Sequence, residues 1–278
     1  MVVAEIESGF GNQLFNYACA YALARRLDAK LILDSMLLST NTLRNYELGA
    51  LNLQYDKLLS IPKGWPYLLK VLVRRLCRFV LALCSRRYVE KKAYIFDESL
   101  LSLRGNWRLH GYWQSEKYFK TYRDEILAML TPTYSMTDSF CELHNEILST
   151  NSVAVHVRRG DYVELGICLG ESYYRDSVSF LCKELQSPTF YIFSDDIEYA
   201  KKLCAFVRDA DVVPVVYDAH NSTIEDFLLM KSCKHNIIAN SSYSWWAAWA
   251  NVHEDKIVVA PKRENKDDFY PEEWIQVS

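Results

Sequence analysis

Residues 153–161 read VAVHVRRGD, an apolar run that passes directly into charged residues. The run at 153–157 predicts a buried strand, and Arg158, Arg159 and Asp161 follow in the turn at its end. Arginine suits phosphate recognition because its planar guanidinium stays charged and matches two oxygens at once. Two adjacent arginines therefore predict a diphosphate site, with Asp161 as the carboxylate that holds them. A surface ion-pair network is the alternative.

Strands and helices alternate on both sides of this stretch. The predicted strands are 153–157, 189–194, 212–217, 236–239 and a final one at 256–260. The predicted helices are 137–149, 172–185, 197–207, 223–233 and 242–250. This rhythm predicts a parallel, doubly wound sheet, in which ligands bind at the carboxyl ends of the strands.

The N-terminal part begins the same pattern independently. A strand at 2–7, a turn at 9–11, a helix at 12–27 and a strand at 30–34 form one βαβ unit. Residues 40–130 are predicted to be mostly helical, with a strand at 107–113. A polar break at 131–135 (TPTYS) then separates two α/β domains, 1–135 and 136–278, which we expect to face a common cleft.

The first turn has a weak nucleotide-binding signature. Residues 8–15 read SGFGNQLF, which is a degenerate GxGxxG with Leu14 in place of the third glycine, and Asp34 closes the next strand. The missing glycine disfavours an NAD(P) oxidoreductase. Asn12 and Gln13, at the predicted helix start, are instead expected to present amide donors to the cleft.

Two more polar clusters follow predicted strands. Asp195 directly follows the strand at 189–194 and is a candidate for a ribose or base contact, whereas Asp196 is expected to cap the following helix. Residues 240–244 (NSSYS) lead from a strand into a helix, where hydroxyls and backbone N–H groups bind phosphate readily. An ordinary serine cap is the alternative for Ser241, Ser242 and Ser244.

Composition narrows the possible partners. The formal charge of −3 argues against a nucleic-acid partner on electrostatic grounds. None of the eight cysteines forms a CxxC pair, so we interpret them as free, buried thiols in a reducing cytosol. The chain enters a strand at its first residues, which predicts a cytoplasmic protein without a signal peptide or an anchor.

Residues 65–84 (WPYLLKVLVRRLCRFVLALC) form a basic amphipathic helix in which Lys70, Arg74 and Arg78 recur every four residues. One interpretation is a helix that packs on the core and leaves its basic face in solvent. The other is peripheral contact with an anionic membrane, on the inner face of the cytoplasmic membrane.

Four of these motifs, in this order, resemble a known family. The segments GFGNQLF (9–15), HVRRGDY (156–162), FSDD (193–196) and IIANSSYSWW (237–246) are similar to those of glycosyltransferase family 11, the α-1,2-fucosyltransferases. The resemblance runs from Gly9 to about Pro261. It implies a GT-B-like α/β fold with two Rossmann-like domains, of which the C-terminal domain binds the nucleotide sugar.

The resemblance also implies the reaction, an inverting transfer of L-fucose from GDP-β-L-fucose to the 2-OH of a terminal β-galactoside. The product would be an O-antigen or another oligosaccharide, and the acceptor could be lipid-linked. No cofactor and no metal are implied. Charge on the departing β-phosphate would be stabilised by fixed cationic donors, which do not have to reorganise during the reaction.

Roles are carried over motif by motif. Arg159 is implied to hold the β-phosphate, Arg158 to keep the turn in shape and His156 to lie along the nucleotide. Asp195 would reach the nucleoside, and Asp226 would read the guanine edge. The serines of residues 240–244 are implied phosphate ligands: Ser241, Ser242 and Ser244. The residues implied beside the fucose and the acceptor are Gly11, Asn12 and Gln13.

The identity of a catalytic base for the acceptor hydroxyl remains open. Asp161 and Asn12 complete the implied catalytic set with the two arginines, and Asp161 and Glu164 are the carboxylates nearest in sequence. Two other functions stay as alternatives. One is a metal-dependent transferase, since Asp209-Ala210-Asp211 is a formal DxD, although its position suggests a solvated turn. The other is a non-catalytic protein that binds sugar nucleotides.

Overall fold

The computed structural model describes residues 1–40, 44–204, 211–215, 223–265 and 267–278. The chain forms two compact units: unit 1 contains Met1–Tyr134 and Asp267–Pro271, and unit 2 contains Ser135–Lys266 and Glu272–Ser278. The late segment of unit 1 is held there by Asp268. Its backbone N–H donates to the Tyr94 carbonyl at 2.8 Å, and its carboxylate accepts from Lys117 Nζ at 2.6 Å.

Among the described residues of unit 1, five strands form one parallel sheet in the order β3-β2-β1-β5-β4. The strands are β1 (Val2–Glu5), β2 (Leu31–Asp34), β3 (Lys57–Leu59), β4 (Arg86–Val89) and β5 (Trp107–His110). The helices are α1 (Phe10–Leu27), α2 (Tyr67–Cys84) and α3 (Arg123–Met129).

The first βαβ unit is confirmed, with one correction at its turn. Helix α1 begins at Phe10 with Gly9 as its N-cap, so Gly11 lies inside the helix and is buried, not in a turn. The sharp bend is made by Ser8, whose φ is +67°. Most of α1 is buried because its own alanines and aromatic residues make the helix apolar on all sides.

The prediction that 40–130 is mostly helical was wrong. Strands β3 and β4 lie there, and both are short edge strands in which no residue is fully buried. Such strands carry charged side chains, here Lys57, Arg86 and Arg87, and so lack the apolar alternation that identifies a half-buried strand.

In unit 2, six strands of the described residues form a parallel sheet in the order β11-β10-β9-β6-β7-β8. The strands are β6 (Asn151–Val157), β7 (Pro188–Ser194), β8 (Asp211–Pro214), β9 (His235–Ile237), β10 (Val258–Pro261) and β11 (Ile275–Val277). The helices are α4 (Asp138–Ser149), α5 (Gly160–Leu165), α6 (Glu171–Glu184), α7 (Ile197–Cys204), α8 (Thr223–Ser232) and α9 (Ser242–Ala250).

This order confirms the predicted doubly wound sheet and places its switch point between β6 and β9, where the order of connection reverses. The prediction that the strand at 256–260 is the last was wrong, because the short, largely exposed β11 adds an edge beside β10. The predicted ends of the helix at 197–207 and of the strand at 212–217 lie outside the described residues.

Two further findings concern the cysteines and the helix surfaces. Burial was predicted for the cysteines, but of those whose side chains are described only Cys19 and Cys233 are buried, and Cys84 in α2 and Cys141 in α4 are exposed. None of the helices in the described ranges combines the length and the apolar character needed to span a membrane.

Candidate active site

The turn after β6 contains the two arginines, and Asp195 at the end of the neighbouring β7 holds both. One oxygen of Asp195 lies 2.7 Å from Arg158 Nη1, and the other accepts from the backbone N–H of Arg159 at 2.8 Å. The strands are in register up to Val157 and Ser194. Asp195 therefore fixes the backbone of the turn as well as a guanidinium, a bracing contact where the sequence had suggested a nucleoside contact.

Gly160 makes this arrangement possible. A Cβ at this position would lie 2.7 Å from Asp195 Oδ2, a distance that real Cβ contacts do not show. The requirement is close approach of a side chain, since the residue does not have a positive φ. The glycine of the HVRRGD motif is therefore explained by the carboxylate that packs against it.

Arg159 has its own carboxylate. Its Nε donates to Asp196 Oδ2 at 2.9 Å, and its guanidinium carbon lies 3.9 Å from the centroid of the Tyr199 ring. Partial burial lowers the pKa of Arg159, but the Asp196 hydrogen bond and charge outweigh it, so the net shift is upward. Because the bond to Asp196 uses Nε, the terminal Nη nitrogens take no part in it, and the side chain keeps 25% exposure.

Asp196 also caps α7, as the sequence predicted, because its other oxygen accepts from the Tyr199 N–H at 3.0 Å. That bond, and then Arg159, lower the pKa of Asp196. Asp161 accepts from Arg158 Nη2 at 2.6 Å and so braces the first arginine through the terminal nitrogen that Asp195 does not contact. Glu164 lies on the exposed surface of α5.

His156, on β6, is buried with 6% exposure, and its ring centroid lies 5.5 Å from that of Tyr243. Burial, and then Arg158, lower the pKa of His156 to about 3, so the imidazole is neutral at physiological pH. Its Nδ1 has no hydrogen-bond partner among the described residues. A buried ring nitrogen of this kind normally has one, which makes it a candidate for a ligand contact.

Residues 240–244 follow β9, the strand next to β6 at the switch point. Ser241 is the N-cap of α9 and accepts from the Tyr243 N–H at 3.3 Å. Ser244 is 1% exposed, and its hydroxyl accepts from the Ala239 N–H and donates to the Ser241 carbonyl. These two hydroxyls therefore shape the turn, whereas Ser242, the first residue of α9, is half-buried.

Asn240 links the loop after β9 to the segment that follows β6. Its carbonyl accepts from Tyr162 of α5 at 3.3 Å, and its Nδ2 donates to the Ile167 carbonyl at 2.9 Å. Its Oδ1 is buried and, within the described residues, has no hydrogen-bond partner. With His156 Nδ1, it is a second unsatisfied polar atom at the switch point.

The two remaining predictions in unit 2 concern aspartates. Asp226 lies in the first turn of α8 and is half-buried; α8 is tied to α9 by the Tyr243 hydroxyl, which donates to the Thr223 carbonyl at 2.6 Å. Of the DxD pair, Asp209 lies outside the described residues. Asp211 is the first residue of β8 and therefore lies at the amino end of a strand.

In unit 1, Gln13 has a different position from the one expected. It is fully buried, its Nε2 donates to the Ser8 and Asn45 carbonyls, and its Oε1 accepts from the Glu47 N–H at 3.0 Å. Its amide therefore holds the segment 45–47 on α1 and is not presented to a cleft. Asn12 is half-buried, donates to Ser8 Oγ at 3.0 Å and accepts from Gln114 Nε2 at 2.9 Å.

The carboxyl ends of β1 and β5, the switch point of the first sheet, hold a charged cluster that sequence reasoning missed. Glu5 has 8% exposure and lies 3.0 Å from an Arg78 nitrogen, 3.2 Å from Arg108 Nε and 2.8 Å from His110 Nδ1. The Arg108 contact is an ion pair without hydrogen-bond alignment. The cations come from α2 and β5, far from Glu5 in sequence, so no local motif revealed the cluster. Asp34 at the end of β2 is also buried; burial raises its pKa, and it accepts from the Met36 N–H.

Comparison with known proteins places these motifs in one family. The model of glycosyl transferase family 11 matches residues 1–278. An alpha-1,2-colitosyltransferase from Escherichia coli is 35% identical, over 100% of this chain and 99% of that protein. The O-antigen biosynthesis glycosyltransferase WbnK, also from Escherichia coli, is 31% identical, over 98% and 99%. Galactoside 2-alpha-L-fucosyltransferase SEC1 of Bos taurus is 28% identical over 51% of this chain and 41% of its own.

Solved structures support the fold. Fucosyltransferase NodZ from Bradyrhizobium superposes with a TM-score of 0.51 at 15% identity, covering 88% of this chain and 91% of its own. The FUT1 mutant R284K of Arabidopsis thaliana superposes with a TM-score of 0.53 at 13% identity, covering 94% and 70%. The predicted GT-B-like α/β fold with two parallel sheets is confirmed.

Proposed function

This chain belongs to glycosyl transferase family 11, and we propose that it transfers L-fucose from GDP-β-L-fucose to the 2-OH of a terminal β-galactoside with inversion. The acceptor oxygen forms a bond to the anomeric carbon while the bond from that carbon to the phosphate oxygen breaks. The electron pair leaves with GDP, and the acceptor proton passes to a base or to solvent. Negative charge therefore grows on the β-phosphate as the sugar becomes oxocarbenium-like.

The observation that carries the proposal is the locked pair of guanidiniums at the switch point of the second sheet. Arg159 is charged, partly exposed and fixed by Asp196 through Nε, so its Nη nitrogens are aimed without a large loss of side-chain freedom. Such a preorganised donor stabilises the leaving diphosphate. Arg158, held on two sides by Asp161 and Asp195, keeps the turn in shape.

Other residues complete the donor site in this proposal. The backbone N–H groups at the start of α9 and the Ser242 hydroxyl bind phosphate oxygens. His156 Nδ1 and Asn240 Oδ1, both unsatisfied among the described residues, contact the nucleotide. Asp226 accepts from N1–H and N2–H of guanine, which a carboxylate suits as a two-oxygen acceptor.

Unit 1 provides the acceptor side in this proposal. Gly11 and Asn12 lie in the first turn of α1. The buried Gln13 side chain fixes that turn by hydrogen bonds to three backbone groups. Asp161 is bonded to Arg158, which favours a bracing role over that of a base. Glu164 is exposed, and the proposal assigns it no bracing contact.

Two measurements test the donor and the linkage. Calorimetric titration with GDP, UDP and ADP should give the tightest binding for GDP, and equal or better binding of UDP would contradict the guanine assignment. Incubation with GDP-fucose and a panel of β-galactosides, followed by linkage analysis, should give an α-1,2 product. A different linkage would limit the proposal to glycosyl transfer in general.

A second donor follows from one finding, the 35% identity to an alpha-1,2-colitosyltransferase over the whole chain. Nucleotide-activated colitose is therefore the competing donor. Competition between it and GDP-fucose in one reaction decides which sugar is transferred faster, and a preference for colitose would replace fucose in the proposal while leaving the linkage intact.

We expect transfer to need no divalent metal. A diphosphate must be neutralised by a bound cation or by protein cations and helix-start N–H groups, and Arg158, Arg159 and the start of α9 offer the second solution. Activity should persist in excess EDTA. Loss in EDTA, restoration by manganese and abolition by Asp211→Asn would favour the metal-dependent transferase.

A further inference from the structure

Helix α2 presents its apolar side to solvent. Leu81 alone of its residues is buried, and one face of the helix is an exposed row, the α2 apolar stripe. Its members and their exposures are Leu68 (81%), Leu72 (63%), Leu76 (61%), Phe79 (62%) and Leu83 (74%). The spacing of four, four, three and four residues places them on one side of a helix. Trp65 and Tyr67 extend the stripe at its N-terminal end.

Three of the four cations of α2 point the other way, and only Arg75 is exposed. Lys70 Nζ donates to the Ser39 and Lys63 carbonyls, and Arg74 Nη1 donates to Thr40 Oγ1 at 2.9 Å. Arg78 reaches Glu5 at 3.0 Å. The expectation of a core-packed helix with a solvated basic face was therefore wrong, because the basic row holds the helix on unit 1 and the apolar row is exposed.

Charge around the stripe indicates what covers it. Residues 63–92 contain nine lysines and arginines and a single glutamate, a formal charge of +8, of which the three inward-facing cations of α2 carry +3, whereas the whole chain carries −3. Lys63, Arg75 and Lys92 are among those exposed. A two-fold contact between copies of this face would bring two such segments together and so is opposed by their repulsion. An anionic lipid surface accepts both the apolar row and its basic surroundings.

We propose that the α2 apolar stripe lies in the interfacial layer of an anionic membrane, with the exposed cations around it on lipid headgroups. The helix lies along the surface, since four cations interrupt its apolar residues. Trp65 and Tyr67 suit this layer because each combines an apolar ring with a polar group. The proposal does not depend on which sugar the protein transfers.

Vesicle flotation tests the proposal with the full chain. The protein should float with vesicles of equal parts phosphatidylcholine and phosphatidylglycerol, and not with phosphatidylcholine alone. High salt should weaken binding, since exposed charges are screened. The triple variant Leu72→Ser/Leu76→Ser/Phe79→Ser should lose at least about tenfold in vesicle affinity, because apolar burial provides much of the binding. The double variant Leu148→Ser/Val252→Ser, which removes apolar side chains of 50% and 64% exposure in unit 2, should float like wild type.

A second variant tests the exposed cations while leaving the α2 apolar stripe intact. Lys63→Glu/Arg75→Glu/Lys92→Glu keeps the stripe and should lose about fivefold in affinity for each charge removed from the surface, or more for reversal. Wild-type protein that fails to float with the anionic vesicles would overturn the proposal, as would unchanged flotation of the triple serine variant. Light scattering that shows a dimer for wild type and a monomer for that variant, without flotation of either, would assign the stripe to a second copy of the chain.

Discussion

The two switch points of this protein carry similar residues in opposite arrangements. In unit 2, Arg158 and Arg159 are partly exposed, with Asp195 and Asp196 bonded behind them. In unit 1, Glu5 is enclosed by cations, and its charge is balanced within the unit. Residue type at a strand end therefore does not identify a ligand site. The two arrangements differ in which partner is exposed and which one braces it, and the exposed arginines make unit 2 the candidate site.

The largest effect should come from breaking the exposed pair. Arg159→Ala should reduce the transfer rate by about a hundredfold or more, because it removes a preorganised donor to the leaving phosphate. Arg159→Lys should recover little, since a point charge cannot replace a planar fork. Initial rates at saturating donor measure both.

The matched control is Arg175→Ala on α6, where the arginine forms an exposed pair with Glu171 at 2.8 Å. This variant should have nearly wild-type activity. If the lysine variant at 159 were also nearly as active as wild type, the guanidinium would not hold phosphate in the way proposed.

The enclosed cluster should affect stability and not catalysis. Glu5→Gln keeps the shape but leaves Arg108, with 9% exposure, without its buried counter-ion. Loss of one partner from a buried ion pair typically costs about 3 kcal/mol or more. Urea unfolding should show this loss, with GDP affinity unchanged. Glu171→Gln, from an exposed pair, should lose far less; an equal loss would mean that the Glu5 cluster is no more than a surface network.

Prediction from sequence succeeded where a residue and its partners lie close in the chain. The central strands and the HVRRGD turn were identified because an apolar run followed by charge is a local pattern. The roles of Gly160, Gln13 and Glu5 were not, since each depends on a contact with a distant segment, namely Asp195, residues 45–47, and α2 with β5. The direction in which α2 faces was missed for the same reason. Periodicity shows that a helix has two faces but not which one the rest of the unit covers.

The buried His156 makes the stability of the protein depend on pH. Its folded pKa is about 3, below the ordinary value near 6.5, so the unfolded chain takes up a proton first as the pH falls. Stability from this residue is complete above about pH 6.5 and is lost progressively below it, by about 2 kcal/mol at pH 5. His156→Asn removes the titration, so the stability difference between wild type and variant should shift by that amount between pH 7 and pH 5. A constant difference would contradict a buried, neutral imidazole.

The smallest effect should come from the brace itself. In Gly160→Ala the new Cβ would lie 2.7 Å from Asp195 Oδ2, so the carboxylate must move away from Arg158 Nη1 and the Arg159 N–H. A displaced turn should weaken GDP binding and transfer by about tenfold, within the range that small misplacements produce. Thermal stability should change little, because the residue is exposed and alanine is the better helix former at the start of α5. Gly64→Ala, where a Cβ meets no atom within 4 Å, is the control and should leave GDP affinity unchanged. If Gly160→Ala also binds GDP as wild type does while Asp195→Asn does not, Asp195 acts on the ligand directly, and the sequence-based assignment of Asp195 to the nucleoside replaces the brace.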